Sequence, residues 1–151
     1  MVMSKSTLMA ACAALVFVFA ALYIKTGNDE KYYAETAVPW LERTMADIAT
    51  WQAQALRSKL SPEASAVISD EQINALMNRF RRLGDFNDFS DLRFNRLTRA
   101  LSLIGQTRIS YDGVAVFSHG EAPFTVTLNS QPDGQFSMYN FNLGPIDSTG
   151  P

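Results

Sequence analysis

Residues 8–24, LMAACAALVFVFAALYI, carry no charged side chain, and no other feature constrains this chain as much. With Thr7 the uncharged run is eighteen residues long. As a helix rising about 1.5 Å per residue it reaches about 27 Å, close to the roughly 30 Å hydrocarbon core of a bilayer. It holds neither Pro nor Gly, so nothing in it interrupts a helix. Lys5 precedes it and Lys25 closes it. Tyr23 stands at its end, where a ring with a polar tip suits the headgroup layer.

The reading adopted is a transmembrane signal anchor over residues 1–25. A cleaved signal peptide competes with it, because Val18-Phe19-Ala20 forms a small-residue cleavage site after a short apolar core. Cleavage there leaves the apolar stub Ala21-Leu22-Tyr23-Ile24 on the mature chain. A lipoprotein modified at Cys12 is rejected, since the apolar run continues twelve residues beyond it. Lys and Arg counts are nearly even on the two sides, so orientation rests on the short N-terminal tail staying cytoplasmic. The expected location is a bacterial inner membrane, single-pass, with the domain in the periplasm.

The remainder is one domain in size. Charged residues make up 19% and the formal net charge is −2, so no global field argues for nucleic acid. The one cysteine is Cys12, inside the apolar run, so disulfides and thiolate chemistry are absent from the domain.

Residues 26–38 read as a polar connector. From Pro39, Trp40, Leu41, Met45, Ile48, Trp51, Leu56 and Leu60 recur at helical steps, predicting one helix that ends before Pro62. Pro39 either opens this helix or kinks a longer one beginning near Asp29. Ser69-Asp70-Glu71-Gln72 is a capping box opening a second helix, and Gly84 suits its stop. Residues 85–91, DFNDFSD, lack the ligand spacing and sixth-position glycine of a calcium loop, and read as a turn with two buried phenylalanines. Residues 92–99 suit a first strand or a short helix equally, and residues 103–106 a connection. Strands follow over 107–117, 124–128 and 136–143. Residues 118–121 and 131–134 are turns, Asp112-Gly113 a bulge or tight turn, and Tyr139, Phe141 and Leu143 share a face. Residues 144–151 read as a loose tail.

The predicted class is α+β: an anchor, then a long and a second helix packed on a curved antiparallel sheet of about four strands. Leu83-Gly84, the segment Tyr111-Asp112-Gly113-Val114-Ala115-Val116-Phe117 and the hairpin Pro132-Asp133-Gly134-Gln135-Phe136 carry a resemblance. Over residues 39–143 the chain resembles small membrane-anchored bacterial exported domains of the cystatin-like/NTF2-like superfold. Some assembly factors for respiratory oxidases, and periplasmic domains of type IV secretion core components, are similar in this respect.

No catalytic constellation is legible. His119 is the only histidine and falls in a turn; Tyr111 and Asp112, as strand neighbours, point to opposite faces. No catalytic, cofactor or metal residue is assigned. Trp40, Trp51, Tyr139 and Phe141 are candidate pocket or core lining. Arg79, Arg82, Arg93, Arg96 and Arg99, with Arg81 beside them, are a candidate docking patch, set among Asp85, Asp88 and Asp91. The expected function is a non-enzymatic accessory or assembly subunit. It sits in the bilayer by one helix and docks its exported domain on a larger membrane protein complex. The alternative is a periplasmic small-ligand binder with a cleaved signal peptide.

Overall fold

The computed structural model describes residues 4–102 and 105–145. Helix α1, Lys5–Ile48, runs unbroken for 44 residues, about 66 Å at about 1.5 Å per residue. The Ser4 hydroxyl caps it by accepting from the Thr7 amide. The apolar stretch and the first helix of the domain are thus one element. Residues 26–38, expected as a connector, are helical. Gly27 alone disfavours helix there by about 1 kcal/mol, and extending an existing helix costs no new nucleus. Pro39 lies inside α1 and does not end it.

The C-terminal half of α1 buries Tyr33, Ala37, Leu41, Met45 and Ile48 at three- and four-residue steps. The helix predicted to continue to Leu60 stops at Ile48 instead. Trp51 takes φ 59, a left-handed conformation, and the chain turns before α2, Ala53–Arg57. The turn carries the Trp51 ring inward, 5.7 Å from the Phe117 ring, while its indole N–H donates to the Gly84 carbonyl at 2.9 Å. Burying an indole with its donor satisfied offsets a backbone strain of order 1–3 kcal/mol.

Helix α3, Pro62–Val67, lies between the two predicted helices and is capped by Ser61. Helix α4, Asp70–Phe80, opens with both halves of its capping box and buries Ile73, Met77 and Phe80. A 3-10 turn, Arg81–Leu83, leads to Gly84.

Four antiparallel strands follow in simple order: β1 Phe86–Phe94, β2 Arg108–Phe117, β3 Gly120–Ser130 and β4 Phe136–Leu143. Helix α5, Arg96–Leu101, lies between β1 and β2. The predicted turn over 85–91 is thus mostly strand, and the ambiguous 92–99 contains both a strand end and a helix. The period was hidden because β1 bulges: Ser90 pairs with Val114 and Arg93 with Asp112, leaving two residues opposite Gly113. A Cβ on Gly113 would stand 3.0 Å from the Asp91 and Ser90 carbonyls, so glycine makes room for the bulge. A second irregularity displaces Tyr139 in β4. Leu128 pairs with Met138 but Thr127 with Asn140, so Met138 and Leu143 are buried while Tyr139 is 38% exposed. Tyr139 therefore does not share the inner face of Phe141 and Leu143.

The core lies between the inner face of the sheet (Ile109, Tyr111, Ala115, Phe117, Ala122, Phe124, Val126, Leu128) and α1 with α4. The predicted connection at 103–106 falls partly, and the tail mostly, outside the described residues.

Candidate functional site

The two ends of the sheet differ. At the distal end the β2–β3 turn meets the loop after α4. The Ser118 hydroxyl accepts from the Asp85 amide, and the His119 amide donates to the Leu83 carbonyl. His119 is exposed there, as expected, with Nδ1 3.3 Å from the Ser118 hydroxyl.

The proximal end faces the N-terminal half of α1, and it gathers two of the four ion pairs among the described residues. Asp29 and Glu30 follow the apolar stretch by about a turn and a half. Arg96 donates from Nε to Glu30 Oε2 at 2.8 Å, and its terminal nitrogen lies 2.7 Å from the same oxygen. That bond holds the Arg96 guanidinium more firmly protonated than usual. Arg99 Nε approaches Asp29 Oδ2 to 2.9 Å as an ion pair, off the angle a hydrogen bond requires. The Arg96 guanidinium also lies over the Tyr23 ring, 4.8 Å from its centre. Helix α5 is thereby clamped to α1 where the apolar stretch ends. Asn95 caps α5 through the Thr98 amide, and the Ser102 hydroxyl donates to the Arg108 carbonyl.

Below this clamp Tyr33 stacks on Phe94 at 6.1 Å, and Phe94 packs edge-on to Tyr111 at 5.5 Å. The Tyr111 hydroxyl is buried without a hydrogen-bond partner among the described residues. Burial, with smaller contributions from Glu30 and Tyr33, pushes its phenol well above the usual range. Beside the clamp is a recess of about 330 Å³ lined by Tyr32, Tyr33, Arg99, Gln106, Thr107 and Ser130.

The arginines of the candidate patch have different partners. Arg96 and Arg99 are taken up by Glu30 and Asp29, acids on α1, rather than by Asp85, Asp88 or Asp91. Arg79 lies over the Phe80 ring and Arg81 reaches the Trp51 carbonyl at 3.4 Å. Arg82 and Arg93 are exposed.

The four aromatic candidates also separate. Trp51 is in the core, and Trp40 packs on Phe136 at 5.8 Å. Tyr139 and Phe141 line a shallow groove of about 150 Å³ with Leu56, Leu60, Ile68 and Leu76. Among the described residues no three His, Cys, Asp or Glu side chains are grouped to hold a metal ion.

Sequence reasoning missed the clamp. Its signal was present as two adjacent acids one to two turns past the apolar run and two arginines three apart, but nothing local says they meet across 66 residues.

No family model matches this chain, and no curated protein and no solved structure is significantly similar to it.

Proposed function

We propose that the protein is a single-pass membrane accessory or assembly subunit, held in a bacterial inner membrane with its domain on the periplasmic side. The observation that carries this is that one helix does two jobs. From residue 4 to 24, α1 is exposed nearly all round, with Phe17 78% and Phe19 64% accessible. From Tyr33 onward the same helix is the central core element. A stretch of eighteen uncharged residues is long and apolar enough to cross a bilayer, and such surface is unfavourable in water.

Continuity then has a mechanical consequence. A helix with no joint between span and core sets the height and tilt of the domain, and the α5 clamp braces the junction. A domain held this way presents one fixed face to whatever shares the membrane with it, which suits docking on a larger integral complex. The alanines at 10, 11, 13, 14, 20 and 21 leave a small-residue surface for lateral helix contact. The arrangement of α1 across a four-strand meander supports the cystatin-like resemblance as architecture; architecture carries no activity with it.

Membranes prepared without detergent and washed at alkaline pH should retain the chain. Solubilised gently, it should migrate with partners, well above its 16.7 kDa. A lone monomer under every mild condition would count against the accessory role. An intact mass corresponding to a chain that begins at Ala21 would show a cleaved signal, and would put a soluble small-ligand binder in its place.

A further inference from the structure

The soluble part leaves few large apolar side chains exposed. Of the five among the described residues, Tyr32, Leu97 and Leu101 lie at the proximal end. Leu97 is 66% and Leu101 76% exposed, and they are four apart in α5, so they share one helix face. Arg96 and Arg99 of the same helix turn towards α1, where Glu30 and Asp29 hold them. Helix α5 is therefore amphipathic, with its charged side satisfied inside the protein and its leucines left uncovered.

Its position decides what covers them. Asp29 and Glu30 stand five and six residues beyond Ile24, about 7.5–9 Å along the helix axis. The headgroup layer on each side of the hydrocarbon core is about 5–7 Å deep. The contact between Arg96 and the Tyr23 ring brings the first turn of α5 to the level where the apolar stretch ends. Arginine stems lie along apolar surface with their heads kept in polar surroundings, as an interfacial helix requires.

We infer that α5 is a second membrane contact: an interfacial helix whose Leu97 and Leu101 seat in the outer edge of the same bilayer that α1 crosses. The inference rests on the membrane-anchor reading. The occupant is lipid, because the contact of Arg96 with the Tyr23 ring holds the helix that carries the leucines beside the end of the span. The domain is then fixed at two points, and rotation about the α1 axis is stopped by the seat.

The test uses the full chain with Cys12→Ser, carrying single environment-sensitive fluorophores at Leu101→Cys, Leu97→Cys, Val16→Cys or the distal Glu121→Cys. Each is reconstituted into vesicles of phosphatidylcholine and phosphatidylglycerol with lipids brominated at shallow or deep chain positions. The expected result is blue-shifted emission at 97 and 101, quenched most by shallow bromines. Position 16 should be quenched by deep ones and 121 by neither. Unquenched, water-like emission at 97 and 101 with 16 still quenched overturns the seat and leaves the anchor standing. Water-like emission at 16 as well overturns the anchor reading and the seat with it. Blue-shifted but unquenched emission at 97 and 101 means protein covers the leucines, and overturns lipid as the occupant.

Discussion

Gly84 is the residue where backbone and packing demand the same thing. Its φ of 77 with ψ −148 is a region only glycine enters without strain. A Cβ placed there would run into the Ser118 hydroxyl and the His119 ring. Its carbonyl also receives the buried Trp51 indole. Gly84→Ala is expected to destabilise by about 1–3 kcal/mol, read as a lowered urea midpoint with an unchanged slope. Tyr111 is the opposite case, because its buried hydroxyl has no partner among the described residues and burial disfavours its ionised form. Tyr111→Phe should leave stability at neutral pH unchanged or raise it by up to about 1 kcal/mol. The sign with pH follows from the raised phenol. Its contribution is fully present below the ordinary tyrosine value of about 10 and is lost as pH rises beyond it. The wild type should therefore lose stability above about pH 10 more steeply than Tyr111→Phe, and equal alkaline slopes in paired denaturant titrations would refute the assignment.

At the scale of elements, α1 is the unit whose integrity matters most. Gly27 sits within it, and a Cβ there would meet nothing within 4 Å. Gly27→Ala should stabilise the helix by about 0.5–1 kcal/mol and slow amide exchange across residues 24–33. The brace between α1 and α5 is testable from the other side. The Arg99 side chain is 11% and that of Asp29 23% exposed, so this pair is better shielded than the usual surface pair worth 0–1 kcal/mol. Asp29→Ala leaves Arg99 partly buried without its counter-ion. It should cost about 1–2 kcal/mol and speed exchange in α5 while leaving α4 protected. Uniform loss of protection would mean that α5 is not a separately held element.

For the whole molecule, what counts is that the exposed apolar stretch and the core of the domain share one helix. Val16→Asp with Phe19→Asp puts two charges in the middle of the apolar stretch, each costing about 2.5–3.5 kcal/mol on the insertion scale. Neither residue touches the core, since both lie in the exposed N-terminal half. The double variant should leave the membrane fraction, while the near-ultraviolet signal of Trp40 and Trp51 in the folded domain persists. Loss of that signal together with membrane association would mean the domain depends on the bilayer for its fold.

Local chemistry makes part of this legible in the sequence alone. The apolar run, the capping box at Ser69 and Gln72, the turn at Pro132-Asp133-Gly134 and the alternation in β3 each depend on neighbours a few residues away, and each stands where its pattern placed it. The α+β class and the four-strand sheet followed from those signals. What tertiary structure alone decided lies where a local pattern was overridden or broken. Residues 26–38 are helical because helix continues from both sides. The predicted long helix breaks at Trp51 because a buried indole and the Gly84 carbonyl, 33 residues away, meet there. Bulges at Asp91 and Tyr139 shift the two-residue period, so β1 looked like a turn and Tyr139 looked inward. The clamp of Asp29 and Glu30 with Arg99 and Arg96 is the clearest instance. A charge in a sequence names no partner, and only the folded path of the sheet brings α5 back to the helix where the chain began.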